Sequence, residues 1–262
     1  MGEGSFGRGW LLRRPLQASL SGSVSYFVPG QERAHRVSEL FASIATRYDL
    51  INDIQSFGLH RWWKHRLVQL APVGRDCQAL DVCCGTGDLT LALASREFET
   101  TGIDFSEPML SVARRRGARR KEKRRPRFVQ GDALQLPFAS DSFDLVTVAY
   151  GLRNLADVDA GLRELTRVLR PGGTLLILEF GKPASALLRW LWFTYLRLAL
   201  PVYGFLFAGD AKAYAYILES LLHYPGQTVI QLKLAELGAT DGKMFDILGG
   251  MMSMHAVRKG AY

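Results

Sequence analysis

Short apolar runs alternate with longer helical patterns along most of the chain. The runs lie near residues 78 to 83, 100 to 104, 127 to 130, 143 to 149 and 174 to 180. Their length and continuity are typical of buried strands. Strands that alternate with helices predict an α/β fold with a mostly parallel sheet and helices on both faces. We also expect Pro171, Gly172 and Gly173 to form the turn before the fifth strand.

The first run continues into the sequence LDVCCGTGD at residues 80–88. Gly85 and Gly87 carry no Cβ, so the backbone can turn sharply and approach a ligand before the next helix begins. The dinucleotide pattern G-x-G-x-x-G would place a third glycine where this chain has Thr90. The turn therefore predicts a cofactor pocket without identifying the cofactor.

Acidic residues follow the next two strands, Asp104 after the second and Asp132 after the third. Ligands of parallel sheets bind beyond the carboxyl ends of the strands, so these carboxylates are expected at one site. A carboxylate at Asp104 can accept both hydroxyl protons of a ribose, as in enzymes that use NAD and enzymes that use S-adenosylmethionine (SAM).

The successive segments LDVCCGTGD, GIDFSEPML, GDALQLPF and FDLVTVAYGLRN separate these two alternatives. In this order they resemble the class I SAM-dependent methyltransferases, over about residues 35 to 258. The resemblance implies a Rossmann-like, seven-stranded sheet with a helical substrate cap and SAM as the methyl donor. It assigns nine residues near the cofactor: Asp81, Gly85, Thr86, Gly87, Asp104, Phe105, Asp132, Ala133 and Tyr150.

Within that set, Gly85, Thr86 and Gly87 are expected to face the amino-acid part of SAM. Asp104 is expected to hold the ribose, and Asp132 with Ala133 to border the adenine. Many members of the family have glycine or alanine at the position of Cys83, and a small cysteine should fit there.

Four other segments resemble one subfamily of these methyltransferases. They are FASIATRYD, SFGLHRWWK, GLRN and LEFGKP. Together they are similar to the menaquinone and ubiquinone biosynthesis C-methyltransferases, and most similar to the demethylmenaquinone enzymes. This implies methyl transfer to a ring carbon of a reduced, prenylated quinol, with demethylmenaquinol as the first choice and a benzoquinol as the alternative. Two further alternatives stay open: methylation of another lipid-like or phenolic acceptor, and a noncatalytic SAM-fold module.

Methylation of a quinol carbon needs a group that removes or stabilises a hydroxyl proton. Arg153 and Asn154 are the first candidates, because they follow the fourth strand directly; Arg153 stays protonated and would stabilise a quinolate or order a water. The other candidates are Tyr48, Asp49, His60 and His255. All of these candidates except Asp49 also have a purely structural explanation, as a core residue, helix cap, strand residue or turn. The reaction requires no metal, and the sequence has no metal-ligand spacing.

The net charge of +8 comes from one place, because residues 114–127 contain ten Arg or Lys and one acid. Three interpretations compete: a solvated helix end, contact with an anionic membrane surface, and binding of nucleic acid. No aromatic residue interrupts the run, which disfavours nucleic acid.

Residues 186–207 form the most apolar segment. They predict either a buried cap helix or a surface whose Trp190, Trp192, Phe193 and Tyr195 line a tunnel for an apolar tail or rest on a bilayer. Arg189 and Arg197 disfavour a membrane span, and Pro201 and Gly204 are expected to break the helix.

The remaining expectations concern organisation. Residues 1–34 are rich in Gly, Ser and Arg and predict a disordered leader, with an organelle transit peptide as the alternative. Residues 35–262 form one domain with cap segments at 35–70 and 184–224. Three cysteines suggest neither a disulfide framework nor a zinc site. We expect a cytoplasmic protein at the inner face of the membrane, and leave open whether it forms a homo-oligomer.

Overall fold

The computed structural model describes residue 39 and residues 41–42, 44–72, 76–120, 124–208 and 215–261. The expected leader, residues 1–34, lies outside the described residues, as do parts of both cap segments and of the basic run.

Seven strands of the described chain form a single sheet in the order β3-β2-β1-β4-β5-β7-β6. The first five strands are parallel, and β7 lies antiparallel between β5 and β6. The predicted mostly parallel, seven-stranded sheet is confirmed. The strands are β1 Gln78–Val82, β2 Glu99–Asp104, β3 Arg127–Gln130, β4 Phe143–Ala149, β5 Leu169–Phe180, β6 Ala239–Ile247 and β7 Met252–Lys259.

Eight described α-helices accompany the sheet. They are α1 Tyr48–Ser56, α2 Leu59–Gln69, α3 Asp88–Ala94, α4 Glu107–Ala118, α5 Val158–Val168, α6 Ala186–Ala208, α7 Ala215–His223 and α8 Gln227–Glu236. Short 3-10 turns follow β4 at Leu152–Asn154 and precede β7 at Leu248–Gly250.

Alternation along the central strands sends neighbouring side chains into two separate cores. Leu80 and Val82 of β1 pack with Leu162 of α5 on one face of the sheet. Ala79 packs with Leu67 and other residues of α2 and α3 on the opposite face. Burial of a Leu or Val side chain stabilises the fold by about 1.5–3 kcal/mol, so both faces of the sheet hold their helices.

The start of the fifth strand differs from the prediction. Leu169 already pairs with Phe143 of β4, and pairing resumes at Thr174 opposite Leu145 after a shift in register. Pro171, Gly172 and Gly173 therefore form an irregularity within β5 instead of a turn before it. Gly172 has φ +75°, a conformation that glycine adopts without a steric penalty.

Helix α6 is also longer than predicted, because it continues through Pro201 to residue 208. The proline ring removes one backbone hydrogen bond. Leu196 and Leu200, which precede it, are buried with Ile51 of α1 and Leu221 of α7. This third core holds the cap against the end of the sheet. None of the described helices is both long and apolar enough to cross a bilayer.

Candidate active site

Three cavities meet beyond the carboxyl ends of β1, β2 and β4. Cavity A has a volume of about 910 Å³ including its mouth, cavity B about 810 Å³ and cavity C about 340 Å³. Among the described residues, Tyr48 of α1 and Tyr150, which follows β4, line all three. A group transferred from one cavity to another would therefore pass beside these two tyrosines.

Cavity A holds most of the expected cofactor residues. Asp104, at the end of β2, accepts hydrogen bonds from the backbone N–H of Gly85 at 2.8 Å and of Ser106 at 2.9 Å. Burial raises the pKa of its carboxyl group. Each carboxylate oxygen keeps a second lone pair, so Asp104 can still accept hydrogen bonds from two ligand hydroxyls. The other expected residues that line cavity A are Phe105, Asp132, Ala133 and Tyr150.

Two non-glycine residues of this site have a left-handed backbone. Cys83 has φ +55° and Tyr150 has φ +59°. Such conformations are uncommon outside glycine and asparagine and cluster at functional sites. The backbone at Cys83 explains why a family could prefer glycine there. Cys83 in turn requires glycine at residue 151, since a Cβ on residue 151 would clash with the Cβ of Cys83.

Cavity C lies between the glycine turn and α2. Asp81 lines it, but its carboxylate accepts hydrogen bonds from the backbone and hydroxyl groups of Thr90 and from the Thr147 hydroxyl, at 2.6 to 2.9 Å. Lys64 also lines this cavity, with its Nζ 2.8 Å from Asp88 Oδ2. Asp81 thus joins β1, β4 and α3, and it lies outside cavity A.

Asp49 lines none of the three cavities. Its Oδ1 accepts a hydrogen bond from the Thr86 hydroxyl at 2.7 Å, and its Oδ2 lies 2.9 Å from Arg116 Nη1. Arg116 also donates to the Thr86 carbonyl. Asp49 therefore clamps α1 to the glycine turn and to α4. Gly87 packs in the same region, against Ala113, and does not line cavity A.

Cavity B is apolar at most positions and polar along one side. Its apolar lining comprises Ile44, Ile51, Trp63, Phe180, Trp192, Ile217, Leu248, Met251 and Met252. Its polar lining comprises Asn52, Gln55, Ser56, His60 and Arg153, with the tyrosines Tyr48, Tyr150 and Tyr216. Such a cavity suits a ligand with an apolar body and a few polar atoms.

Arg153 lies in cavity B as an ion pair. Its Nη1 is 2.8 Å from Oε1 of Glu179 and 2.6 Å from the Tyr150 carbonyl. The guanidinium also lies over the Phe180 ring, 4.7 Å from its centroid. Asn154 lies on the cofactor side, where it lines cavity A and donates to the same Tyr150 carbonyl at 3.2 Å.

Several buried polar atoms that line the cavities have no hydrogen-bond partner among the described residues. Around cavity B these are Gln55 Nε2, His60 Nε2, Tyr150 OH and Trp192 Nε1; around cavity A they include Ser106 Oγ and Asn154 Oδ1. Buried polar groups are almost always paired, so each of these atoms is available to a ligand.

His255, one of the candidate bases, lies apart from the cavities. It sits within β7, fully buried, and its Nδ1 is 2.9 Å from Oε1 of Gln231 on α8. Burial lowers its pKa to about 4. Side chains alternate between the two faces of β7, and His255 lies on a buried face. The interpretation of His255 as a base is therefore wrong.

A profile of the ubiE/COQ5 methyltransferase family matches residues 30–259. The chain belongs to this family. The sequence resemblance to the quinone C-methyltransferases is thereby confirmed over nearly the whole predicted domain.

Two curated relatives are similar to this ubiE/COQ5 family member over most of its length. The ubiquinone/menaquinone biosynthesis C-methyltransferase UbiE of Azotobacter vinelandii is 40% identical over 231 residues, covering 87% of this chain and 91% of the relative. The demethylmenaquinone methyltransferase of Staphylococcus aureus is 37% identical over 228 residues, covering 86% and 92%.

Solved structures support the fold. A SAM-dependent methyltransferase from Thermotoga maritima has a TM-score of 0.60 at 15% identity, covering 84% of this chain and 99% of that one. Phosphoethanolamine N-methyltransferase 2 of Haemonchus contortus, solved with S-adenosyl-L-methionine, has a TM-score of 0.55 at 18% identity, covering 74% and 51%. The family member described here therefore has the predicted Rossmann-like methyltransferase fold.

The four aromatic residues noted on α6 separate into two groups. Trp192 lines cavity B and stacks on Phe180, with centroids 6.4 Å apart, and Phe193 packs on the third core. Trp190 and Tyr195 are exposed. Together with Tyr195, exposed apolar residues follow the helix at spacings of three and four: Leu187, Leu191, Leu198, Val202 and Phe205.

Acidic neighbours pair with much of the described basic run. Arg114 contacts Glu107, Arg116 contacts Asp88, and Arg124 contacts Glu99. No cluster of three or more His, Cys, Asp or Glu that could hold a metal ion occurs in the described part of the chain.

Sequence reasoning missed several residues of the site. Glu179 stood within the quoted segment LEFGKP, and a carboxylate in an otherwise apolar strand was the available signal. Gln55 and Ser56 precede the histidine of SFGLHRWWK by a helical turn, but only the fold directs all three to cavity B. Met109 of α4 and Leu155 line cavity A without any signal in the sequence.

Proposed function

We propose that this chain transfers a methyl group from SAM to a ring carbon of a prenylated quinol, with demethylmenaquinol as the preferred acceptor. The observation that carries the proposal is the meeting of cavities A, B and C at Tyr48 and Tyr150. At these two tyrosines, cavity A, which suits a nucleoside-like cofactor, adjoins cavity B, which is apolar with one polar side. Membership of the ubiE/COQ5 family and the names of both curated relatives support the same reaction.

The residues around cavities A and C fit SAM. Asp104 would accept hydrogen bonds from the ribose hydroxyls, and Asp132 with Ala133 would border the adenine. The amino-acid part would lie along Gly85 and toward Lys64 in cavity C. Ser106 Oγ and Asn154 Oδ1, which have no hydrogen-bond partner among the described residues, give this site further polar groups for the ligand. When bound, SAM supplies a methyl group on a positively charged sulfur, which an electron-rich carbon can attack.

The protein's part in the reaction is to align the acceptor carbon with that methyl group and to exclude water. The apolar walls of cavity B would hold the ring and the start of the prenyl tail. Arg153 would stabilise negative charge that develops on a ring oxygen, while Glu179 holds the guanidinium in place. Tyr48 would remain a neutral hydrogen-bonding group, because burial raises its pKa to about 12.

The proposal includes contact with a membrane surface, where a prenylated quinol is found. The exposed apolar stripe of α6 supports this contact, since Trp192 of the same helix lines cavity B. Arg189 and Arg197 lie on this helix, and the basic run at residues 114–127 would add attraction to anionic lipid. The corresponding location is the inner face of the membrane.

The test is transfer of labelled methyl from SAM to a short-tailed demethylnaphthoquinol, in parallel with its oxidised form and with a demethylbenzoquinol. Label in the reduced naphthoquinol alone is the expected result. Label in the benzoquinol alone would show that the preferred acceptor is a benzoquinol. No label in any of them, with SAM binding intact, would contradict the proposal and favour another lipid-like acceptor or a noncatalytic module.

A further inference from the structure

His60 and Ser56 form a hydrogen-bond arrangement that fixes the protonation of the imidazole. Ser56 Oγ donates its single proton to the Asn52 carbonyl at 2.6 Å. The same oxygen lies 2.9 Å from His60 Nδ1 and accepts from the His60 backbone N–H at 3.2 Å. With its proton already used, Ser56 Oγ can only accept from the ring nitrogen. Nδ1 of His60 therefore carries the ring proton.

The other ring nitrogen, Nε2, consequently holds a lone pair. It is buried and has no hydrogen-bond partner among the described residues. The nearest carboxylate oxygen, Asp53 Oδ1, lies 3.8 Å away, beyond hydrogen-bond distance. His60 itself is 4% exposed and lines cavity B. Cavity B thus contains a buried acceptor of one hydrogen bond that no described residue supplies.

Burial, more than the surrounding charges, holds the pKa of His60 below its ordinary value. Lys64 on the same helix lowers this pKa further. Asp53 on α1 and Asp88 on α3 act in the opposite direction. Asp53 is itself paired with Arg61, and Asp88 with Lys64. At neutral pH, His60 is ready to accept a proton.

The remaining titratable side chains placed on cavity B are less suited to accept a proton. Burial raises the pKa of Tyr48 to about 12 and raises that of Tyr150 and Tyr216 as well, so these groups are neutral and already protonated. Arg153 is held as a cation beside Glu179. Among the described residues that line this cavity, His60 is therefore the natural base.

We propose that His60 is a catalytic residue, that its Nε2 accepts the hydroxyl proton of the reduced quinol, and that this contact selects quinol over quinone. This inference rests on the proposed function. A quinol hydroxyl can donate to the lone pair, whereas a quinone carbonyl would place a second acceptor against it. Gln55 Nε2 and Trp192 Nε1 line the same cavity, have no acceptor in the described part of the chain, and can donate to the second ring oxygen.

The proton and electron balance is complete. The quinol O–H proton moves to Nε2 of His60, and the O–H electron pair stays on oxygen and enters the ring. The ring carbon forms a bond to the methyl carbon while the pair of the S–CH₃ bond leaves with sulfur. The C–H proton at that ring carbon is then lost to water, the ring becomes aromatic again, and the imidazolium returns its proton to the oxygen. One proton is released overall.

The decisive variant is His60→Asn. Its amide can keep a donor near the position of Nδ1 for Ser56, but it has no group at the position of Nε2. We expect kcat to fall by about 10²–10⁴-fold, the range for removal of a general base, with the dissociation constant of SAM unchanged. The control is His65→Asn, an exposed histidine on the same helix that lines none of the cavities.

The pH profile distinguishes this role from a structural one. For the wild type, kcat should decline on the acid side, below the ordinary histidine value of about 6.5, as Nε2 becomes protonated. For His60→Asn that decline should disappear, kcat should rise toward alkaline pH as the quinol hydroxyl ionises by itself, and added imidazole should restore part of the rate. Ser56→Ala, which releases Nδ1, should lower kcat by a smaller factor.

Binding of an oxidised quinone provides a second measurement. The wild type should bind the reduced form at least about tenfold more tightly, and His60→Asn should lose that preference. If His60→Asn kept the wild-type kcat and pH profile, the inference would be overturned while the proposed function stood. If His60→Asn does not fold, two other results would overturn the inference. One is a wild-type kcat that does not decline at acid pH, and the other is a Ser56→Ala variant with the kcat of the wild type. A wild type that methylates no quinol would instead contradict the proposed function.

Discussion

Nη1 of Arg153 lies 2.8 Å from Oε1 of Glu179, and both side chains are buried beside cavity B. Glu179 Oε2 also accepts the backbone N–H of Arg153 at 3.1 Å. The carboxylate at the end of β5 thus holds the turn after β4, which carries Tyr150 and Arg153. This contact connects the sheet to both the cofactor side and the substrate side of the site.

Removal of Glu179 should therefore destabilise the protein strongly. Glu179→Ala leaves the Arg153 charge buried without its partner, and we expect the free energy of unfolding to fall by about 3–5 kcal/mol. The control is Arg170→Ala, which breaks the more exposed contact with Asp144 and should change it by about 1 kcal/mol or less. Denaturant unfolding of the three proteins measures both values, and equal losses would refute the assignment.

Arg153→Ala should affect turnover far more than cofactor binding. Arg153 lines cavity B and not cavity A, so kcat should fall at least about tenfold while the dissociation constant of SAM stays within about twofold. The double variant Arg153→Met with Glu179→Gln removes both charges and should recover stability without recovering turnover. Equal losses of turnover and SAM affinity would contradict the role of Arg153.

Three glycines with positive φ should respond differently to alanine. At Gly172 the added Cβ of alanine meets open space. Gly172→Ala should therefore lower the free energy of unfolding only by the strain of a left-handed alanine, about 1–2 kcal/mol. Gly87→Ala should cost more, because its Cβ would lie 3.1 Å from Ala113 Cβ and from Phe128. Gly85→Ala also has space but borders cavities A and C, so its main effect should be weaker SAM binding. Thermal unfolding and SAM titration of the three variants measure these effects.

His255 should influence stability at acid pH instead of turnover. Its pKa is about 4 in the fold and about 6.5 in an unfolded chain, so the neutral form stabilises the fold fully above pH 6.5. As pH falls toward 4, only the unfolded chain binds the proton, and about 3 kcal/mol is lost. The free energy of unfolding of His255→Gln should lack this loss when the two proteins are compared at pH 7 and pH 4. An identical pH dependence would show that His255 does not carry the effect.

The exposed stripe of α6 should bind lipid. Trp190→Ser together with Leu198→Ser should reduce sedimentation with vesicles that contain anionic lipid, because both side chains are exposed on the stripe. Leu232→Ser on α8 removes a similarly exposed leucine elsewhere and should leave it unchanged. If the α6 variant bound as well as the control, the membrane contact would lie on another surface.

The sheet and the cofactor side were predictable because their signals are local. The five parallel strands coincide with the short apolar runs of the sequence, and Asp104 and Asp132 lie at or just beyond the ends of two of them. Strand β6 has no such run, because polar residues interrupt it and most of its residues are exposed. Even the left-handed backbone at Gly85 is signalled by its residue type. These features depend on residues that are close in sequence, so they can be predicted without knowledge of the fold.

The substrate side depends on contacts between distant segments, which composition does not reveal. Arg153 meets Glu179 across 26 residues, and His60 shares cavity B with Trp192 and Tyr216 only in the folded chain. Pro201 was expected to end a helix, but burial of Leu200 within the third core outweighs its lost hydrogen bond.

The most direct test of the central claim is the position of the transferred methyl group. A reaction with ¹³C-methyl SAM and reduced demethylnaphthoquinol, analysed by NMR of the product, distinguishes a methyl on a ring carbon from one on oxygen. The account predicts a methyl carbon bonded to the ring and no methoxy signal. A methoxy product, or recovery of unmodified quinol from enzyme that binds SAM, would contradict it.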